Sequence, residues 1–275
     1  MKRSDLQFPL KGNYLVMVAP SFIVDFKYPK IISQLRCLGF DKVVEVTFGA
    51  KMINKEYHKK LKSSKDLVVS SVCPGIVEVV KNKFPNYKKN LILVDSPMIA
   101  MAKICKKIYP KHQIVFLSPC NYKKIEAKQS KFVDHVVDFK ELSLLFKKFN
   151  TNKNCNNQFD KFYNDYTKVY PLSGGLSKTA HLGGILKPEE VLIVDGIKEV
   201  FNFLKKPIPN VKFLDVTFCK GGCVGGPCIN SKAPLMIKKM KVRGYLKKSK
   251  REDIPEEKKG LVGKAKGISF LKKNF

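Results

Sequence analysis

The chain has 275 residues, 44% of them hydrophobic, and 53 Lys and Arg face 23 Asp and Glu for a formal charge of +30. That length supports one large domain or two packed lobes. No apolar run approaches the roughly 18–20 residues that span a bilayer, and the first ten residues hold no long hydrophobic segment, so the expectation is a cytoplasmic protein without a membrane span. Lysines are scattered through almost every segment without a helix-turn-helix, zinc-finger or RNA-binding aromatic pattern, so the charge reads as compositional bias and nucleic acid is set aside.

In chain order, short apolar runs alternate with helical patterns. Residues 14–19 read as a buried strand, 28–38 as a helix, 42–46 as a strand and 52–61 as a helix. A strand over 67–71 leads to helices over 75–83 and 97–109. A strand over 114–117 precedes a short helix, and a strand near 135–137 precedes a helix over 142–149. The polar, asparagine-rich stretch 150–160 reads as an exposed connection or a join between lobes. Strands over 191–194 and 213–217 flank a helix over 197–204. A lysine-studded helix is expected after Cys228, and a loosely ordered tail beyond Ser249. Alternating strands and helices predict an α/β architecture of mainly parallel sheets flanked by helices.

Eight cysteines in a chain of this size, with no secretion signal, read as reduced thiols rather than a disulfide framework. The informative ones sit where strands end: Cys73 in Ser-Ser-Val-Cys-Pro-Gly, Cys120 in Leu-Ser-Pro-Cys-Asn-Tyr, and Cys219 and Cys223 in Phe-Cys-Lys-Gly-Gly-Cys-Val-Gly-Gly. Ligands of α/β sheets collect outside the carboxyl ends of strands, so three such ends bring four thiolates to one region. Four thiolates suit a [4Fe–4S] cluster, with Gly75, Gly221, Gly222, Gly225 and Gly226 placed to let backbone amides approach it. Zinc and simple burial stay open on the residues alone, although compact Cys-x2-Cys pairs, usual for structural zinc, are missing.

Other residues have plainer readings. Cys105 falls on an apolar helix stripe and reads as core, as does Cys37. Cys155 reads as a surface thiol, and Cys228 is ambiguous. The segment Ser173-Gly-Gly-Leu-Ser-Lys-Thr179 lacks the glycine that a phosphate loop needs before Lys-Thr. His181 has no ligand pattern around it.

The three cysteine segments, in order, resemble the three signatures of the iron-only ([FeFe]) hydrogenases: Thr-Ser-Cys-Cys-Pro, Met-Pro-Cys-x-x-Lys-x-x-Glu and Met-Ala-Cys-x-x-Gly-Cys-x-x-Gly-Gly. The likeness runs from Val18-Ala-Pro-Ser through Asp95-Ser-Pro-Met and Tyr170-Pro-Leu-Ser-Gly-Gly to Pro227. It implies an H-cluster domain over residues 11–230 with a basic helix and tail over 231–275, and a cluster between two α/β lobes. Cys73, Cys120, Cys219 and Cys223 would hold a [4Fe–4S] cubane, and Cys223 would bridge it to a diiron subsite. Lys123 would contact a cyanide of that subsite, and Glu126 would serve the proton path.

The departures from the signatures are specific. Val72 stands where efficient hydrogenases have a proton-relay cysteine. Ser118 and Thr217 replace methionines, Ile76 a tryptophan, and Met98 a polar residue. The wording is closest to divergent, sensory members of the family, which implies slow hydrogen turnover or a cubane-only redox or hydrogen sensor, in an oxygen-sensitive protein. No ferredoxin-like cysteine run precedes the domain. The implied partner is an acidic electron-transfer protein such as ferredoxin, or a signalling partner. Residues 231–275, with 15 Lys and Arg against 4 Asp and Glu, are the expected docking surface.

Overall fold

The computed structural model describes residues 6–151 and 155–274. In chain order it runs β1 (Tyr14–Val18), α1 (Lys30–Cys37), β2 (Lys42–Glu45), α2 (Thr47–Ser63), β3 (Val68–Val69), α3 (Pro74–Lys83), α4 (Pro97–Ile108), β4 (Gln113–Ser118), α5 (Tyr122–Lys128), β5 (His135–Asp138), α6 (Phe139–Lys148), α7 (Gly175–Thr179), β6 (Val191–Asp195), α8 (Ile197–Lys205), β7 (Phe213–Thr217) and α9 (Leu235–Ser249). Short 3-10 turns fill many of the connections.

Two all-parallel sheets result. The larger has the order β2-β1-β4-β5 and the smaller β3-β7-β6. Parallel pairing requires crossover connections, which the helices supply. Leu15, Val16, Met17, Val115 and Leu117 are fully buried, as expected for strands covered on both faces. In the larger sheet the chain goes from β1 outward to β2 and later enters on the other side of β1 as β4. That reversal creates a switch point between β1 and β4, where the two carboxyl ends part and leave a crevice. The smaller sheet has its own compact core of Val69, Ile76, Val80, Leu214 and Val216 beneath α3 and α8.

Local signals explain the helix starts beside this crevice. Pro74 and Pro97 occupy the first turns of α3 and α4, where a missing N–H costs nothing, and Ser96 caps α4 by accepting from the Ile99 amide. Asp138 caps α6 through the Glu141 amide, three residues earlier than the periodicity indicates. Helix α2 also begins five residues before expectation: Gly49 suggests a break, but Phe48 and Ala50 are buried, and tertiary packing overrides local propensity.

The tail departs most from expectation. Beyond Ser249 the chain is tied into the fold, because Leu271 bridges Val94 antiparallel, the Asp95 amide donates to the Phe270 carbonyl, and the Gly260 amide donates to Tyr163. Ala265 and Phe270 are buried. Helix α9 is anchored where Tyr245 meets the buried Glu45–Lys168 ion pair: Lys168 Nζ is 2.5 Å from Glu45 and 2.8 Å from the Tyr245 hydroxyl. No helix among the described residues is long and apolar enough to cross a membrane.

Candidate metal centre

The four cysteines singled out by the strand-end rule come from both sheets. Cys120 follows β4 of the larger sheet, whereas Cys73 follows β3 and Cys219 follows β7 of the smaller. Their three loops pack directly on one another. Tyr122, just past Cys120, and Phe218, just before Cys219, meet with ring centroids 5.0 Å apart over Gly75. A Cβ on Gly75 would lie 2.9 Å from the Tyr122 ring and 3.1 Å from Phe218. Glycine there is required by this ring packing, and the sequence argument about backbone amides misses that cause.

The Cys219–Cys223 loop is held from beneath. Gly222 has φ +83°, and a Cβ on it would sit 2.5 Å from the Pro171 carbonyl. That carbonyl accepts from the Cys223 amide at 2.7 Å, and the Gly221 amide donates to Asp195 at the end of β6. The conformation of this loop is therefore set by hydrogen bonds on both sides of it.

Burial raises three of these thiols, and neighbouring cysteines add to it. Burial first, and then the charges of Cys120 and Cys73, pushes Cys219 up to about 12. Burial and the charge of Cys73 raise Cys120, while burial and then Cys73, Cys120 and Cys219 raise Cys223 well above the thiol range. Among the described residues no three His, Cys, Asp or Glu side chains converge on one ion position. Four thiols brought from three loops to the facing ends of two sheets are a donor set of the kind a multi-iron cluster takes.

Beside Cys223 lies a cavity of about 110 Å³. Cys223 is exposed and lines this space. The wall is formed by Ala19 and Ser21 after β1, by Val72, Met98, Phe116 and Thr217, and by five prolines: Pro20, Pro74, Pro97, Pro119 and Pro171. Lys123 is the one cation among its described lining residues. Its ammonium is 2.7 Å from Glu126 and 3.5 Å from the Val72 carbonyl. Tyr170 also lines the cavity, and its buried hydroxyl has no hydrogen-bond partner. Cys73 and Cys120 line the space with Cys223, and the Ser21 hydroxyl is, like that of Tyr170, buried without a partner. Three thiols, one ammonium and two unpartnered hydroxyls on a mostly apolar wall fit a compact group with anionic ligands.

On the far side of Lys123, Glu126 lines a second, larger space of about 510 Å³, together with Ser71, Asp95, Lys103 and Lys272. The Lys123–Glu126 pair therefore has one member on the chamber and the other on a larger space of mixed character.

The departures noted in the sequence divide by position. Val72, Met98 and Thr217 line the chamber. Ser118 instead turns onto its own loop, accepting from the Cys120 amide at 3.0 Å and donating to the Cys120 carbonyl at 2.8 Å. Ile76 is fully buried in the core of the smaller sheet. Cys228 packs against the second loop, its amide donating to Pro119 and its thiol to Asn121. Cys105 is fully buried. The Ser173–Thr179 segment is not a phosphate cradle, since Asp215 accepts from both the amide and the hydroxyl of Ser177. His181 stacks on Tyr166. The place of Tyr170 on the chamber wall is the feature sequence reasoning missed, although the Tyr-Pro-Leu-Ser-Gly-Gly segment marks its surroundings.

Comparisons with known proteins place the chain in a family. Residues 13–227 match the family described as "Iron only hydrogenase large subunit, C-terminal domain". The chain is 26% identical over 290 aligned residues to iron hydrogenase 1 of Clostridium pasteurianum, covering 83% of this chain and 50% of that protein. It is 26% identical over 260 residues to the NADP-reducing hydrogenase subunit HndD of Solidesulfovibrio fructosivorans, covering 72% and 44%. The chain thus spans about half the length of the curated relatives it matches. Among solved structures, a variant of the [FeFe]-hydrogenase HydA1 of Chlamydomonas reinhardtii superposes with a TM-score of 0.67 at 16% identity, over 90% of this chain and 85% of that one, and shares the fold. With the match running across most of its length, this chain belongs to the family formed by the C-terminal domain of the iron-only hydrogenase large subunit.

Proposed function

We propose that residues 11–230 form an H-cluster domain that holds a [4Fe–4S] cluster through Cys73, Cys120, Cys219 and Cys223 and a diiron subsite in the chamber beside Cys223, for slow reversible reduction of protons to hydrogen. The observation that carries this reading is the placing of Cys73, Cys120 and Cys223 together on a mostly apolar chamber that carries one ammonium, with Cys219 on the adjoining loop. When bound, the diiron group supplies the site at which electrons and protons combine.

The chain's own residues do the rest. Cys223 offers its sulfur to both the cluster space and the chamber. Proline and aliphatic side chains form much of the wall, and a group filling the space against them would be shielded from water, which would strengthen its charge interactions. Lys123 presents an ammonium to an anionic ligand, a charge-assisted contact. Glu126, hydrogen-bonded to Lys123 and facing the outer space, is placed to take up or release a proton on the solvent side. Val72 can neither donate nor accept, so the direct proton step beside the chamber lacks a partner.

A second reading, a redox or hydrogen sensor with a cubane alone, is favoured by that same valine and by the commitment of the Lys123 ammonium to Glu126. Either role fits an oxygen-sensitive cytoplasmic protein that exchanges electrons with an acidic partner such as ferredoxin or a signalling protein. Helix α9 and the residues around it support the docking part. Leu235 packs on Gly221 of the third cysteine loop, and Met236 and Met240 are exposed, 68% and 56%, on a helix that carries six Lys and Arg and no acid.

Anaerobic reconstitution tests the assignment. Roughly four irons and four sulfides per chain are expected, lost in Cys73→Ala and Cys219→Ala and kept in Cys105→Ala. After anaerobic maturation, infrared bands of metal-bound CO and CN⁻ report the diiron subsite. In protein showing those bands, Val72→Cys is expected to raise hydrogen evolution by about 10²-fold, the lower end of general acid–base assistance. Stoichiometric zinc without sulfide refutes the cluster, and iron with sulfide but no such bands selects the sensor.

A further inference from the structure

Two thiols outside the metal centre come together in a way their sequence positions do not suggest. Cys37 ends α1, and Cys155 lies in the connection that follows α6, yet their sulfurs are 3.2 Å apart across 118 positions. That separation is below an ordinary sulfur–sulfur contact. Both residues are half-buried, so a small reagent can reach them. The reading of Cys37 as core and Cys155 as a surface thiol is thereby replaced by a pair.

The two segments are held in this register by contacts on either side. The Cys155 amide donates to the Ser33 hydroxyl at 3.1 Å, and Gln34 donates to Thr151. Arg36 donates to the carbonyls of Asn156 and Gln158 and pairs with Asp160 at 2.8 Å. Residues flanking each cysteine thus fix the backbone independently of the sulfurs. Such anchoring gives each thiol a high effective concentration around the other.

We propose that Cys37 and Cys155 form an oxidative modification site that closes to a disulfide and staples α1 to the connection between the two halves of the chain. The co-reactant is a low-molecular-weight disulfide. One cysteine thiolate attacks a sulfur of that disulfide, forming a mixed disulfide and releasing one thiolate. The second cysteine thiolate then attacks the protein sulfur of the mixed disulfide, the Cys37–Cys155 bond forms, and the second small thiolate leaves. Two electrons pass from the cysteine pair to the oxidant, and the two protons lost by the cysteines are taken up by the two departing thiolates.

The pair lies away from the metal centre. Helix α1 ends just before β2 begins at Lys42, so Cys37 sits at the amino edge of the larger sheet, whereas Cys120 leaves β4 at the carboxyl edge. Oxidation here can proceed without touching a cluster ligand.

The test is anaerobic treatment of the full chain, loaded and unloaded, with glutathione disulfide, followed by alkylation, digestion and mass spectrometry. The expected result is a peptide linked through Cys37 and Cys155 in both preparations, with Tm raised by about 5–10 °C. Cys155→Ser is expected to remove the link and leave glutathione on Cys37, and Cys37→Ser to leave iron and sulfide content unchanged. Full alkylation of both cysteines, or a separate glutathione on each, overturns the pair, and a linked protein with an unchanged Tm overturns the staple. Because the link is expected in the unloaded chain too, failure of the cluster assignment leaves this test intact.

Discussion

The two sheets are built from the same parallel units but are unequal partners. In the larger sheet, β1 and β4 are buried almost throughout, and its core extends over α1, α2 and α4. In the smaller sheet β3 contributes two residues, β6 leaves Ile193 49% exposed, and the core holds ten buried apolar side chains among the described residues. A core of that size is marginal by itself. Three of the four candidate ligands leave the smaller sheet and one leaves the larger. A group held by all four, as proposed, would tie a weak unit to a strong one, so that metal binding and the folding of the smaller sheet would be linked.

Removing the metal is the hardest test of that contrast. Chelating iron anaerobically is expected to lower amide-exchange protection at Leu214 and Val216 by about 100-fold or more, while Val16 and Val115 keep theirs, read by hydrogen exchange. Equal loss in both sheets would make them a single cooperative unit.

Next in size is a perturbation of the larger unit. Lys168→Met leaves Glu45 buried without its cation and is expected to cost about 3–5 kcal/mol in urea unfolding, a cost that adding Glu45→Gln should partly reverse. The loss is expected in the larger sheet first, the reverse of the order under chelation.

The smallest effect belongs to the rim. A hydrogen bond from His112 to Asp41 at 2.6 Å, helped by Lys42, holds the Asp41 carboxyl below the usual carboxylate range. A lowered carboxylate pKa in the fold stabilises above the unfolded value, about 4, and that contribution is lost as pH falls through the folded value. With Asp41 42% exposed, Asp41→Asn is expected to cost under about 1 kcal/mol at pH 7 and nothing near pH 2, measured by unfolding at both.

Much of this is legible in the sequence alone. Apolar runs of four to six residues located most of the strands because strands buried on both faces carry an uninterrupted signal. Strand ends then gathered Cys73, Cys120, Cys219 and Cys223, since parallel sheets collect their loops at one edge. What stayed hidden depends on contacts between distant segments. No periodicity brings Cys155 to Cys37, or places the Tyr170 hydroxyl on the chamber wall. The tail reads as loose because its lysines mask Ala265 and Phe270, which are buried only because the fold provides a surface for them.

The five prolines around the chamber have a consequence for the order of assembly. Each fixes one backbone dihedral and has fewer conformations to lose than any other residue. A wall made of such residues keeps its shape whether or not it is filled, and it contributes no proline N–H that would need a partner while empty. If the chamber takes the group proposed above, filling it would require little local ordering of the proline wall, and that part of the chamber would act as a mould shaped when the chain folds.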